Sequence, residues 1–175
     1  MSDSGDGRSW KKYVLSSIGS ALTVAQFISF FFFYNPDGFP TIRVIGWVVW
    51  AISVIFGIYP IIYFRKRGKV PKGESYTRTT VLVTSGLYAV VRHPQYLAGI
   101  LLNLGLMLIS QHWLIAVLGT PAMILMYLDI LKADEYEIEK FGEAYQEYVE
   151  TVPRVNFLLG IIRAWQRRKP SPKAN

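Results

Sequence analysis

The chain has 175 residues, 51% hydrophobic and 15% aromatic with 18% charged, and its mean hydropathy is positive, a balance unusual for a soluble domain. It has no cysteine and two histidines, His93 and His112, which excludes disulfides, a cysteine nucleophile, thiolate metal sites and a histidine-rich metal cluster. The net charge of +7 suits either nucleic acid or an anionic membrane face, and the placement of the charges decides between them.

Residues 1–12 open on the polar, Gly/Ser-rich stretch MSDSGDGRS, which reads as a disordered start. It lacks the charged n-region and small-residue cleavage site of a secretory signal. From Tyr13 to Tyr34 there is no charged residue, a run as long as a bilayer core requires of a helix. Trp10, Tyr13 and Tyr34 suit the interfaces at its ends. Asn35–Pro40 (NPDGFP) is a turn with two prolines and a glycine. Ile42–Phe64 forms a second span, in which Arg43 sits at the edge, able to snorkel to water, and Pro60 is placed to kink the last turn.

Beyond Phe64 the material changes. RKRGKVPKGESYTRTT (65–80) is basic and turn-rich and reads as a solvated loop. VLVTSGLYAVV (81–91) is apolar and β-branched but is too short and too interrupted to span. Tyr96–Ile109 and Leu114–Leu131 then read as a helical hairpin around the turn Ser110-Gln111-His112-Trp113, with Pro121 placed to bend the second arm. Lys132–Glu150 reads as a charged amphipathic helix. Its apolar residues Ile138, Phe141, Tyr145, Tyr148 and Val152 recur at three- and four-residue steps. Its acids suit a basic surface such as the 65–92 loop better than anionic lipid. Residues 161–175 form a basic tail that ends in disorder.

With four spans, both termini and the 65–92 loop share one side. Every Lys and Arg except Arg43 falls there, which makes it the cytoplasmic side by the positive-inside rule. The asymmetry accounts for the net charge without nucleic acid.

The segment VVRHPQYLAGILLNLG (90–105) places a cation, an imidazole and a proline before an apolar run. Pro94 suits the first turn of a helix, and His93 before it is biased to an extended backbone. Arg92, His93 and the free N–H groups of the helix start suit a carboxylate or phosphate. The alternative is an interfacial anchor, with Arg92 on lipid phosphate. Asp134 and Glu135 are carboxylates that could hold the cationic end of a zwitterion, or simply a solvated helix face. Asn103 suits an interhelical hydrogen bond, Asn156 a cap for the residues after it, and His112 a structural place beside Trp113. Arg154 reads as pinning the C-terminal segment to phosphate or to the acidic face.

VLVTSGLYAVVRHPQY, a helical hairpin and KADEYEIEKFGEAYQEYVETVPR occur in that order over residues 76–160. The set resembles the isoprenylcysteine carboxyl methyltransferase family, whose wider superfamily includes phospholipid N-methyltransferases and thiol methyltransferases. The resemblance implies an all-α, polytopic membrane fold and S-adenosylmethionine as methyl donor. Carried over by position, the cofactor stretch is Thr80, Val81, Leu82 and Val83, then Tyr88, then His93, Pro94, Gln95 and Tyr96. The family's cofactor-contacting acid falls on Asp134 or Glu135. Arg92, Tyr145, Tyr148 and Arg154 belong to the substrate-side or supporting residues. The chain has no G-x-G-x-x-G, so no dinucleotide fingerprint competes.

One departure bears on the acceptor. The family's relatives carry an arginine on the fourth helix, one turn before the cofactor glutamate. Counted back from Phe141-Gly142 without a gap, those positions are Asp129 and Ala133; one deletion makes them Ile130 and Asp134. Neither register supplies an arginine, so an amine, thiol or other lipid nucleophile stands beside a carboxyl as acceptor. Asp129 then suits a proton acceptor or an orienter of a cationic head group, or else a helix-end acid reaching water. The expectation is a multi-pass methyltransferase with both termini cytoplasmic, two N-terminal spans (13–64), a methyltransferase core (65–160) and a basic tail. Its partners are a lipophilic acceptor and membrane lipids, without nucleic acid or metal. The alternatives are a non-catalytic membrane adaptor and an NADPH-dependent, sterol-reductase-like protein.

Overall fold

A computed structural model of the chain describes residues 6–69, 73 and 79–168. Among these residues all regular structure is helical, as the all-α expectation requires. The elements are α1 (Asp6–Phe30), α2 (Pro40–Arg67), a 3-10 turn (Gly86–Ala89), α3 (Pro94–Ser110), α4 (Trp113–Phe141), α5 (Glu143–Thr151) and α6 (Phe157–Arg168). They distribute over two compact units, one from Met1–Gly57 and Gln95–Asp134, the other from Ile58–Pro94 and Glu135–Asn175.

Two helices, α2 with 28 residues and α4 with 29, are long and apolar enough to cross a bilayer. Val14–Phe30 and Pro94–Ser110 are apolar but shorter. The polar start expected to be disordered is helical from Asp6.

The first unit buries polar side chains beside apolar ones and exposes large apolar residues. Gln26, Asn103 and Ser110 are fully buried and Ser53 nearly so, among Leu106, Ile109, Ile115 and Ile130, while Val24, Ile28, Val44, Ile55, Val117 and Ile124 are exposed. Water would favour the reverse; hydrocarbon favours this arrangement, because small and polar residues then mediate helix contact. Asn103 Nδ2 donates to the Thr23 hydroxyl at 3.2 Å, and Gln26 Nε2 donates to the carbonyls of Asn103 and Ile115, both at 3.1 Å. The expected interhelical role of Asn103 is therefore met. Gly119 makes room for the Gln26 amide: a Cβ there would collide with Gln26 Nε2. Gly46 packs so closely on Ile109 that a Cβ would stand 2.8 Å from its backbone nitrogen.

The connections obey local chemistry. In the 35–40 turn, the Asn35 side chain accepts from the Asp37 amide, and the Gln111 amide pairs both backbone groups of Phe39. Arg43 does not snorkel freely: its Nη2 donates to the Asn35 carbonyl at 3.0 Å, and its guanidinium lies 4.6 Å from the centre of the Tyr34 ring. Gln111, at φ +51°, makes the hairpin turn. His112 Nδ1 accepts from the Leu114 amide, so the imidazole serves the start of α4.

Two boundaries differ from expectation. The fourth apolar run and the acidic stretch are one continuous helix through Phe141, because nothing between Pro121 and Phe141 breaks it. The break falls at Gly142 instead, whose φ of +58° favours glycine, so the expected 132–150 helix is divided between α4 and α5. Residues 161–168, expected as tail, complete α6, while the disorder expected at the extreme C-terminus lies outside the described residues. Of the basic loop, 65–67 belong to α2, while 70–72 and 74–78 lie outside the described residues.

Candidate functional site

The second unit gathers the Arg-His-Pro turn and the tyrosine-rich helix α5 around one cluster. Tyr145, Tyr148 and Val152 are buried there, with Leu82, Ile138, Phe141 and Val149 packed against them. The apolar spacing of 138–152 sets this face, and Gly142 re-aims the chain midway along it.

Hydrogen bonds join residues 88–93 to α5 and the segment after it. The Tyr148 hydroxyl donates to the Tyr88 carbonyl. Arg92 Nη1 donates to the carbonyls of Val149 and Val152, both at 2.8 Å. The backbone amides of Arg92 and His93 donate to the carbonyls of Pro153 and Arg154 at 3.0 and 3.1 Å. The Tyr145 hydroxyl and His93 Nε2 share a hydrogen bond of 3.4 Å.

Arg92 is therefore no lipid anchor. It is 6% exposed, and its guanidinium serves the carbonyls that the end of α5 leaves unpaired. Glu143, Glu147 and Glu150 are exposed, and α5 contacts 88–93 through tyrosines and main-chain carbonyls; the expected cover of the basic loop falls largely on 70–72 and 74–78, outside the described residues.

The predicted cofactor stretch divides by exposure. The Thr80 amide donates to the Gly68 carbonyl and its hydroxyl to the Lys69 carbonyl, each at 3.0 Å, which fastens it to the end of α2. Val81 is exposed, Leu82 packs into the tyrosine cluster and Val83 is buried. Tyr88 is buried with its ring stacked on Phe64 (centroids 4.5 Å apart, planes at 11°) and on Tyr63 (6.4 Å). Tyr63 stacks in turn on Tyr59 at 5.3 Å and shares a 2.8 Å hydrogen bond with Ser85. Gly86, at φ +65°, lets the chain pass this stack: a Cβ there would stand 2.9 Å from the Tyr59 hydroxyl.

Tyr59, Tyr63 and Phe64 are site residues that hydropathy alone hides, since it treats α2 as a span throughout. Tyr59 and Tyr63 stand one helical turn apart, and that aromatic pair at the end of a span is the available signal. Tyr59 and Tyr63 keep part of their surface open while Tyr88 does not.

Pro94 opens α3 as expected. Gln95, Tyr96, Asp129 and Asp134 fall in the first unit, and Glu135 in the second. Asp134 is buried, whereas Glu135 is exposed, so the two acids are not equivalent. Asp129 is also buried: its Oδ2 accepts from the Tyr96 hydroxyl at 2.8 Å and from the Ser16 hydroxyl at 3.0 Å. It is thus held by two hydroxyl groups rather than turned to water, and Ser16 is a partner that the sequence did not reveal. Arg154 is half-buried. Asn156 caps α6 as expected, its Oδ1 accepting from the Leu159 amide at 3.1 Å.

The chain is similar to known proteins. The isoprenylcysteine carboxyl methyltransferase (ICMT) family matches the chain over residues 73–140. The matched stretch contains the Arg92-His93-Pro94 turn, the hairpin and the acids at 134–135. A relative from Schizosaccharomyces pombe (strain 972 / ATCC 24843), named Protein-S-isoprenylcysteine O-methyltransferase, is 24% identical over 170 residues, covering 85% of this chain and 72% of its own. A relative from Xenopus laevis with the same name is 28% identical over 135 residues, covering 70% of this chain and 46% of its own. The chain thus spans less than half the length of the second relative. Both names are those of methyltransferases, as the resemblance implied. No solved structure matches the chain.

Proposed function

We propose that the chain is an integral-membrane, S-adenosylmethionine-dependent methyltransferase that acts on a lipophilic acceptor: an isoprenylcysteine-type carboxyl, a lipid amine or a thiol. The observation that carries this reading is the linkage of Arg92, His93 and Tyr88 to Tyr145, Tyr148, Val149 and Val152, which makes one built site of residues 52 to 60 positions apart. The buried polar side chains and the exposed apolar surface of the first unit support a membrane setting. We infer four crossings, with both termini and the site residues on the cytoplasmic side, from the charge asymmetry of the sequence.

The residues suit the cofactor. Bound there, it supplies an electrophilic methyl group on a sulfonium cation. Tyr59 and Tyr63, which keep part of their surface open, suit that cation, because an aromatic ring attracts positive charge. His93, oriented by Tyr145, suits the carboxylate of the methionine end. Arg92 acts through position: it fixes α5, and α5 holds Tyr145 against His93. Val81, exposed beside the pinned Thr80, offers an apolar contact for adenine. Asp129, with Tyr96 and Ser16, suits a proton acceptor or a partner for a cationic head group. The protein's share of the rate is alignment of the acceptor and exclusion of water.

Transfer of labelled methyl from S-adenosylmethionine into a lipid extract tests the reading, with farnesylcysteine analogues and phosphatidylethanolamine run in parallel and products identified by mass spectrometry. Saturable binding of S-adenosylhomocysteine and a labelled lipid product are expected. Absence of binding at millimolar ligand overturns the methyltransferase reading.

A further inference from the structure

Helix α6, FLLGIIRAWQRR, carries its polarity in the opposite sense to a helix bathed in water. Two of its arginines reach back to main-chain carbonyls. Arg163 Nη1 donates to the Glu150 carbonyl at 3.4 Å, and Arg167 Nη2 to the Ala89 carbonyl at 2.7 Å. Gly160 lies against the Val90 backbone so closely that a Cβ would collide with its carbonyl oxygen. Gly160, Arg163, Ala164 and Arg167 recur at three- and four-residue steps and make one face.

The other face is apolar and largely exposed. Leu158 is 64% exposed, Ile161 50%, Ile162 53% and Trp165 60%. These four share a helical stripe at steps of three, one and three residues, opposite the arginine face. The inward arginines and the close approach at Gly160 fix the helix about its own axis, so the apolar stripe cannot roll inward.

Charge identifies what covers it. From Thr151 to Asn175 the chain carries six basic residues (Arg154, Arg163, Arg167, Arg168, Lys169 and Lys173) and no acid. A second copy seated on this face would bring two such segments together against their mutual repulsion. An anionic lipid surface offers an acyl boundary for the stripe and phosphates for Arg168, Lys169 and Lys173, the basic run that ends the helix and follows it. We propose that α6 lies in the plane of an anionic membrane surface, with Leu158, Ile161, Ile162 and Trp165 at the boundary between head groups and acyl chains. The proposal rests on the membrane reading above for the presence of a bilayer.

The absence of cysteine makes single labels clean. Leu158→Cys, Ile161→Cys, Ile162→Cys, Trp165→Cys and Gln166→Cys variants of the full chain are spin-labelled in nanodiscs containing phosphatidylglycerol. Val48→Cys on α2 serves as the reference. Electron paramagnetic resonance then compares collision with oxygen and with a water-soluble nickel chelate. Oxygen should dominate at the four stripe positions and at Val48, and nickel at Gln166. Nickel dominance on the stripe, or protection from both reagents as under a protein partner or second copy, overturns the proposal while Val48 still reports lipid. Nickel dominance at Val48 as well overturns the membrane reading itself. Labels on the stripe should move outward in pure phosphatidylcholine; an unchanged depth overturns the anionic preference.

Discussion

Arg92 Nη1 lies 2.8 Å from the carbonyl oxygen of Val152, the residue that caps the C-terminus of α5. A cation at a helix C-terminus meets both the unpaired carbonyls and the negative end of the helix dipole. Here the cation comes from the turn that carries His93, so one bond holds two motifs.

Arg92→Met should therefore cost about 1.5–3 kcal/mol of stability, the range for hydrogen bonds to a charged group. Arg92→Lys should recover part of it, since an ammonium lacks the guanidinium's rigid fork. Thermal unfolding in detergent measures both. Equal melting temperatures for wild type and Arg92→Met would remove the capping role.

Tyr63→Leu should weaken S-adenosylmethionine more than S-adenosylhomocysteine, because only the former is a sulfonium. The differential should be about three- to fivefold, as expected for a cation–π contact near 1 kcal/mol. Titration calorimetry with the two ligands gives the ratio directly. Equal losses would leave Tyr63 as packing for Tyr88.

His93→Ala should weaken S-adenosylhomocysteine about tenfold, and Tyr145→Phe by a smaller factor, since that variant removes only a hydrogen bond that orients the imidazole. If Tyr145→Phe costs as much as His93→Ala, the tyrosine itself touches the ligand.

Local contacts are legible in the sequence and distant ones are not. Pro94 at the start of α3 and Asn156 at the start of α6 could be read because a proline or an Asn cap acts on its own few neighbours. The buried role of Arg92 could not. Its carbonyl partners lie 57 and 60 residues away, and no spacing rule connects a side chain to a main-chain oxygen. The same holds for Tyr63 and Phe64, whose stacking with Tyr88 forms only when the chain returns. Gly142 is visible in the sequence, but the amphipathic pattern continues in phase on both sides of it and conceals the break.

Gly119→Ala should destabilise the first unit by about 1–3 kcal/mol, because the new methyl displaces the Gln26 amide from two buried carbonyls. In a Gln26→Ala background the same change should cost less, since the obstruction is gone. Unfolding of the four members of the cycle measures the coupling, and strict additivity would show that Gly119 and Gln26 act independently.

Gly142→Ala tests backbone conformation without a steric complication, since nothing lies within 4 Å of a Cβ there. A cost of about 1–3 kcal/mol is expected, because φ +58° with ψ −135° is a combination that glycine adopts and other residues adopt only under strain. No effect would mean that α4 and α5 can join as one helix without loss.

The long reach of the links between residues 88–93 and 145–154 has a consequence for biosynthesis. On the ribosome, Tyr88, Arg92 and His93 emerge well before their partners, and α3 and α4 must be made first. Until Val152 is synthesised, Arg92 has no α5 carbonyl to serve and His93 no Tyr145 beside it. The apolar hairpin of α3 and α4 is therefore complete while residues 88–93 still lack their partners. A nascent chain stopped before α5 would carry all of its long apolar helices and none of these links, so quality control that inspects only those helices would pass it.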